Sequence, residues 1–186
     1  MADDVELLLD PASDLVLHGD WDALEAEGLP NQGRHQSFSN APHITLAAAP
    51  RIDDRFDVDL AAAVEGDALN LVTAGLLVFP GRRKFVLARH VVAGEELARL
   101  HRRVWSVLHE VADPVPTTVP HGWTPHITIS HGLTAEQLAA AFVILKDRRV
   151  GQLTGGIIRR WDAKEKRLVA LGGGGLRWPD QAHSGH

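Results

Sequence analysis

The sequence predicts an α+β fold of two pseudo-symmetric lobes, each an antiparallel sheet backed by helices, facing a central cleft. Three observations carry that expectation. The tetrapeptide Pro-His-Ile-Thr occurs at residues 42–45 and again, letter for letter, at 125–128. In a chain of 186 residues with 11 His and 10 Pro, two copies would arise by chance with a probability on the order of 10⁻⁶. Weaker matches keep the same order: VTAGLLV at 72–78 with LTGGIIR at 153–159, and DLAAAV at 59–64 with QLAAAF at 137–142. Strand-like and helix-like patterns also succeed one another in the same order in both halves, the mark of an internal duplication.

Residues 5–9 read as a short buried strand. Residues 11–28 read as a helix: Pro11 suits a first turn, Leu15, Leu17, Trp21 and Leu24 recur near helical spacing, and Gly28 is a natural stop. A polar loop follows at 30–40, then a strand at 43–49 and a helix at 58–64. Residues 69–79 and 85–91 form a hairpin turned by Pro80-Gly81.

The second half repeats the plan. Residues 95–111 are an amphipathic helix with Leu97, Leu100, Val104, Leu108 and Val111 on one face. A Pro-rich loop leads to a strand from His126. Residues 134–145 are a helix with Thr134 as N-cap and Gln137 completing a capping box. A second hairpin spans 151–161 and 167–171. The expected organisation is one bilobal domain over residues 1–171, its lobes interleaved by the duplication, and a flexible Gly-rich tail over 172–186.

Bulk composition narrows the function. At 45% hydrophobic and 23% charged the chain has the make-up of a globular domain. A formal charge of −5 argues against a broad polyanion-coating surface but allows a small anion in a local pocket. With no cysteine, disulfides, Cys-containing metal sites and a Cys nucleophile are excluded. The acidic start lacks the basic-then-apolar pattern of a signal segment, and no run approaches a membrane span, so a cytoplasmic protein is expected.

Side chains alternate across a strand, so His43 and Thr45 share one face, and His126 and Thr128 share another, while Ile44 and Ile127 face the core. Two imidazoles on one cavity are the minimum for metal-free phosphodiester chemistry: a neutral ring takes a proton from the attacking oxygen, and a protonated ring gives one to the leaving oxygen. The threonine hydroxyls can donate to non-bridging phosphate oxygens. On this reading His43 and His126 are catalytic, Thr45 and Thr128 bind phosphate, and no metal or cofactor is needed.

The paired His-x-Thr-x motifs, one lobe apart, resemble those of the two-histidine (2H) phosphoesterases, the superfamily that includes bacterial 2′-5′ RNA ligase-like proteins and 2′,3′-cyclic nucleotide phosphodiesterases. The resemblance covers most of the chain, from Val5 to about Leu171. It implies a bilobal fold with a central cleft, no metal, His43, Thr45, His126 and Thr128 as the site, and hydrolysis of a 2′,3′-cyclic phosphate on a nucleotide or RNA end, with the first-motif histidine as acid and the second as base; a monomer or weak oligomer is expected. Binding of nucleotides or RNA without turnover and 2′-5′ end-joining are the rival readings. Many relatives carry an Arg two residues after the second Thr, where this chain has Ser130 followed by His131.

Further candidates for substrate contact are Phe38, as a base platform in the loop before the first motif, Arg34 in the same loop, Trp123 before the second motif, and Ser130. Strand parity puts Ser130, and not His131, on the catalytic face unless the strand bulges. Arg82, Arg83 and Lys84 at one hairpin tip, and Arg159 and Arg160 in the corresponding second hairpin, read as solvated charges.

Overall fold

Along β1 (Asp3–Leu9) the apolar residues Val5, Leu7 and Leu9 alternate with Asp4, Glu6 and Leu8, so one face turns to helices and the other carries two carboxylates. This computed structural model describes residues 2–173. After β1 come α1 (Pro11–Ala26), β2 (His43–Ala49), α2 (Asp57–Val64), β3 (Leu69–Pro80), β4 (Phe85–Val91), α3 (Glu95–Val107), β5 (His126–Leu133), α4 (Ala135–Leu145), β6 (Gln152–Asp162) and β7 (Arg167–Gly173). All strand pairs are antiparallel, in the order β2-β1-β6-β3-β4-β5, with β7 added to β6. None of the described helices is long and apolar enough to cross a membrane.

The two repeats are β1-α1-β2-α2-β3 and β4-α3-β5-α4-β6, and each gives its last strand to the other. β6 of the second repeat pairs with β1, and β3 of the first pairs with β4. The exchanged strands meet through Leu69 to Val72 against Gly155 to Gln152. Gly155 lets the strands pack closely at that junction, where a Cβ would lie 3.0 Å from the Leu7 side chain and 3.1 Å from that of Leu71. Two apolar cores result. One gathers Val5, Leu7, Ile44, Leu46, Leu60, Leu100, Val104 and Ile158 under α2 and α3; the other gathers Trp21, Leu24, Leu87, Ile129, Leu133, Ala141 and Leu145 under α1 and α4.

Local signals fall where the sequence predicts, with small corrections. Asp10 caps α1, its carboxylate accepting from the Ser13 N–H at 2.8 Å, and Thr134 and Gln137 form the capping box of α4. α1 ends at Ala26, two residues early, with Gly28 in the left-handed region at φ 68°. Leu15 is 72% exposed: Leu17, Trp21 and Leu24 hold the i, i+4, i+7 stripe, and Leu15 is out of phase with it. α3 ends at Val107, and its last turn tightens into a 3₁₀ turn, Leu108–Glu110.

Arg159 and Arg160 correct a larger expectation. Neither is a solvated tip residue. Both lie within β6, where alternation sends Arg159 to the cleft face and Arg160 to the helix face. Arg160 is fully buried and pairs with Asp57 at 2.6 and 2.9 Å. Arg82, Arg83 and Lys84 are exposed at their turn, as expected. β7 extends through Gly172 and Gly173, so the strand outlasts the predicted start of the tail; the rest of that tail lies outside the described residues.

Candidate active site at the junction of two edge strands

β2 and β5 are the edge strands of their lobes, and they approach each other across the molecule. Each begins at the histidine of a Pro-His-Ile-Thr segment. Ile44 and Ile127 are fully buried, which turns His43, Thr45, His126 and Thr128 to the opposite, half-buried face. Proline restricts the residue before it to extended backbone, and in both copies that residue's carbonyl binds the histidine. His43 Nδ1–H donates to the Ala41 carbonyl at 2.8 Å, and His126 Nδ1–H donates to the Thr124 carbonyl at 2.7 Å. A carbonyl can only accept, so both rings carry a proton on Nδ1 and leave Nε2 for the cleft.

The surroundings of the two rings differ. Glu6 lies opposite Thr45 on one side and Arg159 on the other, so all three side chains share the cleft face. Its Oε2 accepts from Arg159 Nε at 2.5 Å, and its Oε1 lies 3.4 Å from His43 Nε2. The Glu6 and Arg159 side chains are 7% and 3% exposed. Arg159 also donates to the Ser39 carbonyl, tying the 35–40 loop to the sheet. Next to Glu6 on the same face, burial first and then Glu6 itself push the Asp4 carboxyl up to about 8, and its Oδ1 has no hydrogen-bond partner among the described residues.

In the second lobe the residue opposite Thr128 is Ala88, and the one opposite His126 is His90. Phe79 packs on the His126 ring with centroids 4.6 Å apart. Burial holds His126 below the ordinary imidazole value; the Thr124 carbonyl opposes that shift, and the charges of His43 and His90 add to it. An imidazolium at His43 thus meets a carboxylate. One at His126 meets apolar surface and other cations.

Beyond Thr128 the strand bulges. Ala88 is opposite Thr128 but Leu87 is opposite Ser130, so β5 holds one residue more than β4. Ile129 and Ser130 both turn inward, and Ser130 Oγ–H donates to the Pro30 carbonyl at 2.6 Å. Ser130 is therefore removed from the cleft, contrary to the parity argument. His131 takes the outward position. Burial lowers it from the ordinary imidazole value, and so do the nearby charges of His126, His35 and His43.

Of the other candidates, Phe38 stays at the cleft: it is 70% exposed and meets Trp161 edge-on at 5.8 Å. Trp161 is opposite Asp4 on the cleft face. Arg34 pairs with Glu25 of α1 and does not reach either histidine. Trp123 is a packing residue, stacked on His101 at 3.8 Å with its indole N–H donating to the Thr45 carbonyl. The sequence reading missed Glu6 and Arg159, although a charge inside an apolar strand run is itself a signal, since such a group needs a buried partner or a site to face.

Comparison with known proteins agrees with this architecture. The model of the 2′-5′ RNA ligase superfamily matches residues 14–154. No curated protein sequence matches. Among solved structures, Usb1 of Kluyveromyces marxianus aligns over 92% of this chain and 97% of its own, with 13% identity and a TM-score of 0.53. TT0787 of Thermus thermophilus aligns over 92% and 95%, with 16% identity and a TM-score of 0.56. E. coli LigT in its apo form aligns over 95% of both chains, with 12% identity and a TM-score of 0.54. These likenesses are of fold. With the family match covering most of the chain, the two exchanged repeats and their paired histidines are those of a member of the 2′-5′ RNA ligase superfamily of 2H phosphoesterases.

Proposed function

We propose that the protein hydrolyses 2′,3′-cyclic phosphates of nucleotides or RNA ends by general acid–base catalysis between His126 and His43, with no metal or cofactor. The observation that carries this reading is the unequal setting of two identically held rings. Each has Nδ1–H committed to a carbonyl, yet among the described residues a carboxylate faces Nε2 of His43, at 3.4 Å, and not that of His126. A ring with one nitrogen held by a carbonyl and a carboxylate close to the other is suited to the imidazolium form. His126, kept neutral by burial, presents a free Nε2 lone pair.

In the reaction, His126 Nε2 takes a proton from water as the water oxygen bonds to phosphorus. The bond from phosphorus to one ribose oxygen breaks, and His43 Nε2–H protonates that oxygen. The Thr45 and Thr128 hydroxyls donate to the non-bridging oxygens, whose charge grows in the transition state. The product is a monoester; solvent returns the proton to His43 and removes it from His126. With His43 as acid, the family's usual assignment leaves a 2′-phosphate. Phe38 and Trp161 offer aromatic surface for a base on the His43 side. A solved structure of Kluyveromyces marxianus Usb1 with uridine monophosphate, 14% identical over 92% of this chain with a TM-score of 0.54, supports a nucleotide-sized occupant.

The test is turnover in EDTA of the four 2′,3′-cyclic nucleotides and of a short RNA with a 2′,3′-cyclic end. Cleavage to a 2′-phosphate is expected, with the acid limb of the pH profile below the ordinary imidazole value because His126 is the base. Folded protein that binds these compounds and cleaves none of them would replace the enzyme with a binding module.

A further inference from the structure

Sharing a histidine motif between two lobes leaves the acid and base roles to the neighbours, and one neighbour has no counterpart across the pseudo-twofold. We propose that Glu6, clamped by Arg159, is a positioning residue that holds the His43 ring as the proton donor of the pair. The proposal rests on the paired-histidine reading and adds to it the group that breaks the symmetry.

Three observations support it. The first is placement. Glu6 sits opposite Thr45, and the corresponding position opposite Thr128 is Ala88, which has nothing to offer a cation. The second is the contact. Glu6 Oε1 is 3.4 Å from His43 Nε2, longer than a normal N–H···O hydrogen bond, so it acts as a counter-charge and leaves the Nε2–H free to reach a substrate oxygen. The third is burial. Glu6 and Arg159 are both nearly inaccessible. A buried ion pair adds little stability compared with apolar residues of the same size, and here the clamp fixes the Glu6 carboxylate beside the His43 ring.

The charges around this group are consistent with the role. From its own strand Glu6 faces Asp4, whose carboxyl is pushed up to about 8, so the two carboxyl groups carry one negative charge between them at pH 7 and Arg159 balances it on the side away from His43 Nε2. β6 supplies Arg159, and β2 supplies His43. Across the cleft stand His126 and His131, whose protonation would oppose a cation at position 43. Arg159 is held in turn by the Ser39 carbonyl.

The experiment is a ¹⁵N titration of the histidine rings in the free, full-length protein, wild type against Glu6→Gln, followed by the pH–rate profile of both. In Glu6→Gln the His43 ring is expected to lose its second proton at lower pH than in wild type, without a matching downward move of His126, and the alkaline limb of the rate profile is expected to move the same way. Glu6→Asp, which keeps the charge, should restore part of the shift. If Glu6→Gln does not fold, the double variant Glu6→Gln, Arg159→Met leaves no orphaned buried charge and should show a smaller shift in the same direction, because the Arg159 cation is lost with the carboxylate. An unmoved His43 ring, or both rings moving together, would overturn the proposal. The ring titration needs no substrate, so a protein without cyclic-phosphate turnover would fail the function reading while still deciding this one.

Discussion

The two lobes present the same four residues in the same local pose, yet on different ground. In the first, Glu6, Arg159 and Asp4 surround His43 with buried charge. In the second, Ala88, Phe79 and His90 surround His126 with carbon and a further imidazole. The difference teaches that a duplicated motif fixes where the two rings sit, while residues one strand away set the charge and burial each ring faces.

Removing each ring in turn is the strongest way to test this asymmetry. His43→Ala and His126→Ala are each expected to lower kcat on a cyclic nucleotide by about 10²–10⁴-fold, with little change in thermal stability, as both side chains are only half-buried. A phosphodiester with an aryl leaving group, which departs without a proton, separates them. It should recover most of the loss in His43→Ala and little in His126→Ala. Equal recovery in both would show that the roles are not divided as proposed.

A smaller effect tests what the lobes have in common. Thr45→Ala and Thr128→Ala each remove one donor to a charged oxygen and should cost about 10–100-fold in kcat/KM. Similar losses are expected from the two, because the threonines occupy matching places on β2 and β5. A loss at one site alone would extend the asymmetry from protons to phosphate binding.

The smallest effect concerns stability, and it belongs to the first lobe. Asp4 keeps its proton in the folded protein up to about pH 8, whereas the unfolded chain loses it near 4. Between those values the folded state binds more protons, so this group makes stability fall as pH rises through the window. Asp4→Asn should abolish that fall and raise stability at pH 8 by about 1–3 kcal/mol, read from urea unfolding at pH 5 and pH 8. A wild-type curve that is flat across this range would place the charge of Asp4 elsewhere.

Much of this was legible in the sequence because it depends on local pattern. Alternation identified β2 and β5, the capping box identified α4, and the repeated tetrapeptide located both rings. What the sequence did not disclose depends on partner strands. The bulge that turns Ser130 inward exists only in register with β4, so parity counted along β5 alone assigned the cleft to the wrong neighbour. Glu6 and Arg159 are 153 positions apart and meet only because β6 crosses to pair with β1. Arg34 and Trp123 were plausible by proximity in sequence to the motifs, but Glu25 and His101 claim them.

The exchanged strands carry one more consequence. Cut at the Arg82–Arg83 turn, the chain would divide into pieces that each keep one Pro-His-Ile-Thr segment and lack the inner strand of the sheet that supports it. The smallest body able to set one imidazole against another is the whole chain, or a pair of half-length chains that trade strands, so the fold has the form of a strand-swapped dimer joined into a single polypeptide.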